Sequence, residues 1–372
     1  MSIRLSLCPR AIDARAAAPA GSLPLAGGAR AFAACEAVLC EAVPCEAVPG
    51  ENRREVAREV VPVPALADWS APFGPEVAAQ ATALLERLSA PRAPFAGLDL
   101  SRPQVMGVIN VTPDSFSDGG DRFDAGRAVN DGLAMVEAGA AILDVGGEST
   151  RPGSIPIEAD EELRRVLPVV RGLAGAGAPV SIDTRRARVM AAALDAGARV
   201  VNDVTALAGD PDSLALVAAR QVPVVLMHMR GEPRSMQADP SYDDAPRDVY
   251  DALAERVAAC EAAGIPRARI AVDPGIGFGK TAAHNLQILD RMALYQGLGC
   301  AVLLGVSRKK FIGKLSRGEA PKARLPGSLA AALAGLERGV QIVRAHDVAE
   351  TAQAIAVWRA VEAAAERSDG GV

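Results

Sequence analysis

Two aspartates stand where they could grip a heterocycle. Asp183 ends the short apolar run PVSID (179–183) and Asp273 ends IAVD (270–273). A carboxylate so placed accepts paired N–H bonds from a ring that carries an amino group beside a ring N–H. Asn202, in VVND (200–203), adds both a donor and an acceptor. A 2-amino-4-oxo pyrimidine ring satisfies this set. The plainer alternative for either aspartate alone is a buried structural partner for Arg or Lys. The opposite charge is supplied by Arg151, Lys309, Arg344 and His346, which follow other apolar runs. Arginine suits bidentate contact with phosphate and stacks on flat rings. Ser307-Arg308-Lys309 could also present backbone N–H groups to an anion if a helix begins there. The expected ligand is therefore a polar heterocycle coupled to a phosphate or diphosphate.

Such residues need a scaffold that brings them together. The runs VMGVINV (105–111), AILDV (141–145), PVSID, VVND, PVVLMH (223–228), IAVD, AVLLGVS (301–307) and IVRAH (342–346) are mostly continuously apolar. Strands buried on both faces read this way. Helix-length segments lie near 125–138, 158–173, 186–196, 211–220, 245–263, 284–296, 327–339 and 348–362. Eight strand–helix units in roughly 260 residues predict an α/β fold, a (β/α)8 TIM barrel, with an open doubly wound sheet as the alternative. A barrel puts its active site at the C-terminal ends of the strands. Those ends carry Asn110, Asp144, Asp183, Asn202 with Asp203, His228, Asp273, Ser307, and Arg344 with His346. One of them could be a helix cap; eight in succession describe a polar-floored pocket. Two loops, NVTPDSFSDGG (110–120) and GGESTRPGS (146–154), sit on the same face and have the composition of functional loops that close over reactants.

The first 100 residues differ. They are rich in Ala, Pro and Gly and are expected to form a poorly structured or partly helical N-terminal extension, with an amphipathic helix over 75–90. Residues 35–49 repeat CEAVL, CEAVP, CEAVP. A thiol cluster is one reading; repeat slippage in a tolerant segment is the favoured one, since a spacing of five fits no common zinc pattern. The domain division is 1–100 for the extension and 101–366 for the catalytic barrel. Across 372 residues the net charge is −5 and aromatics are 3%, which argues against nucleic acid or anionic lipid as a partner. Six cysteines without a CxxC pair indicate a reducing compartment, the cytoplasm. No apolar run approaches the ~20 residues of a membrane span.

Taken in order, VMGVINVTPDSFSDGG (105–120), ILDVGGESTRPGS (142–154), SIDT (181–184), VNDV (201–204), MHM (227–229), DPGIGFGK (273–280), GVSRKKFIG (305–313), GSLAAA (327–332) and RAHDV (344–348) resemble the dihydropteroate synthases, a family of pterin-binding barrels. The resemblance covers about residues 101–365. It implies a transferase of folate biosynthesis that joins 6-hydroxymethyl-7,8-dihydropterin diphosphate to 4-aminobenzoate and releases diphosphate. It also implies roles. Asn110 would reach Mg²⁺ beside the diphosphate. Thr150, Arg151 and Pro152 would help build the aminobenzoate site, lined further by Phe278 and Ser307. Asp183, Asn202 and Asp273 would grip the pterin, with Lys309 beside it. Arg344 and His346 would hold the diphosphate. Catalysis would fall to Asp183, Lys309, Arg344 and His346, and sulfonamides would compete with aminobenzoate. Arg185-Arg186 and the doubled Lys309-Lys310 depart from the pattern without removing a motif residue. Ala-rich faces on the last two helices are compatible with a homodimer. Two other readings share the barrel: a pterin-dependent methyltransferase domain and a non-catalytic pterin-binding protein. The STRPG loop and Ser307-Arg308-Lys309 weigh against the first, and the intact Asn110, Arg151, Lys309 and Arg344 against the second.

Overall fold

The computed structural model describes residues 3–42, 53–111, 125–149, 154, 156–231 and 236–368. The chain begins with an antiparallel sheet made of β1 (Ile3–Ala14), β2 (Leu23–Pro24), β3 (Arg30–Ala42) and β4 (Arg53–Pro62). β3 is central, pairing with each of the others. Two helices follow, α1 (Leu66–Ser70) and α2 (Pro75–Ser89). The extension is thus partly helical, as its sequence suggests, but sheet rather than irregular chain makes up most of the rest. The reason is alternation on β3. Cys35, Ala37 and Leu39 point to one side and join Leu5, Leu7 and the buried stripe Val77, Ala81, Leu84 and Leu88 of α2 in a small core.

Glu36 points to the other side. It accepts hydrogen bonds from Arg10 (2.6 Å) and Arg58 (2.5 Å) and lies 3.4 Å from Arg291 of the barrel. Burial alone would raise its pKa, but the three guanidinium groups outweigh burial and lower it. The first copy of the repeat is therefore the middle of a packed sheet, not a tolerant segment. Cys45 and the last copy lie outside the described residues.

The apolar runs of the remaining chain become the strands β5 (Gln104–Asn110), β6 (Ile142–Gly146), β7 (Val180–Asp183), β8 (Val200–Asp203), β9 (Val224–Met227), β10 (Ile270–Asp273), β11 (Ala301–Gly305) and β12 (Ile342–Ala345). They are parallel and close into a barrel in chain order, β12 pairing back onto β5. The helices α3 (Ala125–Glu137), α4 (Ala159–Gly175), α5 (Ala187–Asp195), α6 (Ser213–Arg220), α7 (Ala245–Ala262), α8 (Ala282–Asp290), α9 (Lys310–Leu315), α10 (Leu325–Leu336) and α11 (Val348–Ser368) accompany them. This is the (β/α)8 barrel expected. α9 was not foreseen, and the expected helix over 284–296 ends at Asp290, where a buried 3-10 segment, Met292–Leu298, takes over beneath α2 and β1.

Inside the barrel, Met106, Ile142, Val200, Val225, Ala271 and Ile342 form the lower layer of a packed interior. Phe95 and Leu100 join that layer, so the segment leading into β5 plugs the floor. No helix among the described residues is long and apolar enough to cross a membrane.

Leu88 is fully buried between α2 and the sheet. Leu88→Ala should lower stability by about 3 kcal/mol, read from urea unfolding; an unchanged midpoint would mean that α2 does not pack as described.

Candidate active site

Every strand-end residue named from the sequence and lying within the described chain sits at the C-terminal mouth of the barrel. Two neighbouring strands are joined there by one arginine from β12, and a third joins them through a shared carboxylate. Arg344, on β12, donates through Nε to Asp144 of β6 (2.7 Å) and through Nη2 to Asp183 of β7 (2.7 Å). Asn202 of β8 donates to the same Asp144 oxygen (2.9 Å). The other oxygen of Asp144 is buried and has no partner. Asp144, to which its strand-end position in the sequence assigns no role, is the hub. Asp183 fulfils the plainer reading, a structural partner of an arginine, while its position at the mouth keeps the functional one.

Electrostatics follow from this crowding. Burial, and then the charge of Asp144, push the Asp183 carboxyl up to about 7 against the pull of Arg344. Asp273, on β10, is also raised by burial, opposed by the backbone N–H of Gly275 (2.8 Å) and by the charges of Lys309, Arg344 and Lys280. Gly305 lies between Asp273 and Arg344: a Cβ there would stand 3.7 Å from the carboxylate and 4.0 Å from the arginine Cβ.

The loop after β10 carries DPGIGFGK and is anchored at both ends. Gly275 has φ +68°, and a side chain on it would bring its Cβ 1.9 Å from the carbonyl oxygen of His228, so only glycine fits. At the far end, Thr281 and His284 form a reciprocal cap that starts α8. Between them Lys280, buried, bonds the carbonyls of Phe278 (2.9 Å) and His228 (3.3 Å) and lies 3.0 Å from His228 Nδ1. Burial lowers the Lys280 ammonium to about 7. Burial first and the Lys280 charge second lower His228 to about 2, so its imidazole is neutral. Lys280 closes the motif DPGIGFGK in the sequence, but nothing local there assigns it a role. Its staple fixes Phe278, whose ring lies 4.1 Å beneath the Lys309 ammonium.

A third group joins β5, β11 and β12. The Ser307 hydroxyl accepts the His346 backbone N–H (3.2 Å) and meets His346 Nδ1 (3.1 Å), while Asn110 approaches His346 Nε2 at 3.5 Å. Arg308 holds a left-handed backbone, φ +59°. It is fixed by Ser328 and by a two-pronged pair with Asp347. Beside β6, Glu148 binds Arg185 (3.1 Å) and Arg186 (3.0 Å), and Arg186 also bonds buried Glu162. The Arg185-Arg186 departure thus supports the edge of the mouth. Thr150, Arg151 and Pro152 lie outside the described residues, as do most of the two loops.

This mouth, acid and amide on one arc and cationic on the next, can be set beside known proteins. Residues 106–346 match the family described as pterin binding enzyme. The dihydropteroate synthase of Escherichia coli (strain K12) is 44% identical over 270 residues, 72% of this chain and 95% of that one. This chain belongs to the dihydropteroate synthases. It is accordingly a transferase of folate biosynthesis. Within that family, a Xanthomonas albilineans enzyme solved with 4-aminobenzoic acid shares 49% identity at a TM-score of 0.68, covering 72% of this chain and 97% of its own. The same organism's enzyme in complex with 7,8-dihydropteroate shares 47% at 0.66, covering 72% and 96%. The matched span of the family is the barrel; the sheet formed by β1–β4 lies before it.

Removing the arginine tests the cluster. Arg344→Met leaves two carboxylates facing each other in the interior, which should cost about 3 kcal/mol of stability at pH 8. The loss should shrink toward pH 6, where Asp183 takes up its proton and the repulsion goes. Urea unfolding at the two pH values measures it; a loss that grows on acidification would contradict the arrangement.

Proposed function

We propose that the mouth binds 6-hydroxymethyl-7,8-dihydropterin diphosphate and 4-aminobenzoate together and joins them to give 7,8-dihydropteroate and diphosphate. The observation that carries this is the convergence of Asp144, Asp183, Asn202 and Arg344 in one hydrogen-bonded cluster, with Asp273 in its electrostatic reach. Asp183, Asn202 and Asp273 take the amino, ring N–H and oxo edges of the pterin, with Lys309 beside it. Phe278 and Ser307 line the aminobenzoate subsite with Thr150, Arg151 and Pro152. His346 and the remaining Nη1 corner of Arg344 hold the diphosphate.

The aniline nitrogen is a weak nucleophile, so the C–O bond to diphosphate breaks early and positive charge builds on the exocyclic carbon. Asp183 and Asp273, as anions, favour that electron-poor pterin. His346 and Arg344 favour the departing anion. The aniline nitrogen then bonds to the carbon, turns acidic and loses its proton without needing a strong base. Magnesium fits the mouth: Asn110 offers an amide oxygen, a hard donor. When bound it neutralises charge on the leaving group.

The enzyme is proposed to work in the cytoplasm, where the buried thiols Cys8, Cys35, Cys260 and Cys300 stay reduced. It is proposed to act as a homodimer through the outer face of α11. Val357 and Val361, one turn apart, are 61% and 63% exposed there, an apolar stripe that a second copy would cover.

In a product assay with both substrates, Asp183→Ala and Lys309→Ala should lose at least about 100-fold in rate while remaining folded, and a sulfonamide should compete with aminobenzoate. Binding of 6-hydroxymethylpterin, which carries no phosphate to titrate, should weaken about tenfold per pH unit below pH 7 as Asp183 protonates. Full activity in both variants, or pterin affinity independent of pH, would reject the assignment. For the dimer, Val361→Asp should convert a two-chain species to one chain in sedimentation; a wild-type protein already single at micromolar concentration refutes it.

A further inference from the structure

At the opposite end of the barrel, a cavity of about 220 Å³ opens between the N-terminal sheet and the barrel. Its walls come from the turn between β2 and β3, the chain entering β5 and β12, and the last turns of α11. Leu25, Leu100 and Val340 give it an apolar floor. Polar groups on the lining are unbalanced. Arg30 of β3 pairs through Nη1 with Glu362 of α11 (2.6 Å), yet its Nε is buried and has no partner. The indole N–H of Trp358, one turn before Glu362, is likewise buried without a partner. Both residues line the cavity, and native interiors seldom leave such donors unmet. Arg102, which lies 4.0 Å from Asp99, and Arg359 also line it, so the lining carries three cations and one carboxylate, that of Glu362.

We propose that this cavity is a second ligand site, remote from the mouth, for a small organic oxyanion: a carboxylate or phosphate group on a short apolar body. The oxyanion pairs with the Arg30 guanidinium at the cavity wall, and a small shift of the Arg30 and Trp358 side chains brings Nε and the indole N–H, which lie just behind that wall, to its oxygens, while the body rests on the apolar floor. Acceptors in a bound anion satisfy donors that the protein leaves open, and charge-assisted bonds to arginine are the strong kind. Because Arg30 belongs to the extension and Trp358 to α11, occupancy ties the two parts of the chain together.

The chain has two tryptophans, Trp69 and Trp358. In the full-length protein labelled with 5-fluorotryptophan, ¹⁹F NMR reports each separately once Trp69→Phe assigns them. Benzoate and phenyl phosphate serve as probes. The Trp358 signal should move saturably with at least one probe while Trp69 stays still, and the tighter probe identifies the head group. Arg30→Met should weaken binding about tenfold. Glu362→Gln, which removes the competing carboxylate, should tighten it several-fold and keeps the test open if Arg30→Met does not fold. The shift should persist with the mouth saturated by 6-hydroxymethylpterin. A Trp358 signal that never saturates leaves the cavity to water and overturns the proposal. So does a shift unchanged in both variants, or one abolished by the pterin.

Discussion

A guanidinium reaching over β5 from β12 to β6 and β7 holds the mouth of the barrel in order. Asp144 and Asp183 are close enough to repel each other, and their surroundings are too dry for water to screen them. Arg344 makes their proximity tolerable, and Asn202 shares an oxygen with it. Because breaking one member of a buried ionic cluster costs far more than forming the cluster gains, the arrangement specifies a geometry rather than adding much stability. It also leaves one Asp144 oxygen open and holds the Asp183 carboxyl well above the usual carboxylate range, two properties frequent where a cluster also binds a ligand.

The barrel could be read from the sequence because parallel strands buried on both faces must be written as unbroken apolar runs. PVSID, VVND and IAVD end within a residue of the observed strands. The strand-end residues were legible for the same reason, since the fold dictates where each run must deliver its last side chain. Less visible were groups whose role depends on what faces them. Asp144 became the hub only once Arg344 and Asn202 were seen to converge, and Lys280 only once its ammonium was seen stapling two carbonyls. α9, six residues long, is too short to show a helical period.

The N-terminal sheet escaped notice for a different reason. Ala, which carries little β preference, is the commonest residue of its central strand, and that strand is buried along most of its length, so the apolar–polar alternation of a half-exposed strand is weak. What makes it a sheet is pairing between segments far apart in sequence, Leu7 with Ala37 and Glu36 with Val60, and the closing of three arginines on Glu36. Those are tertiary facts, invisible to local pattern.

The placement of Phe95 and Leu100 among the innermost side chains of the barrel has a thermodynamic corollary. A leader that merely hung from the enzyme could melt alone, leaving the catalytic body intact. Here the tether is itself part of the body's hydrophobic interior, so pulling the leader free exposes the lowest ring of barrel side chains to water. Leader and body are therefore expected to melt as one cooperative unit.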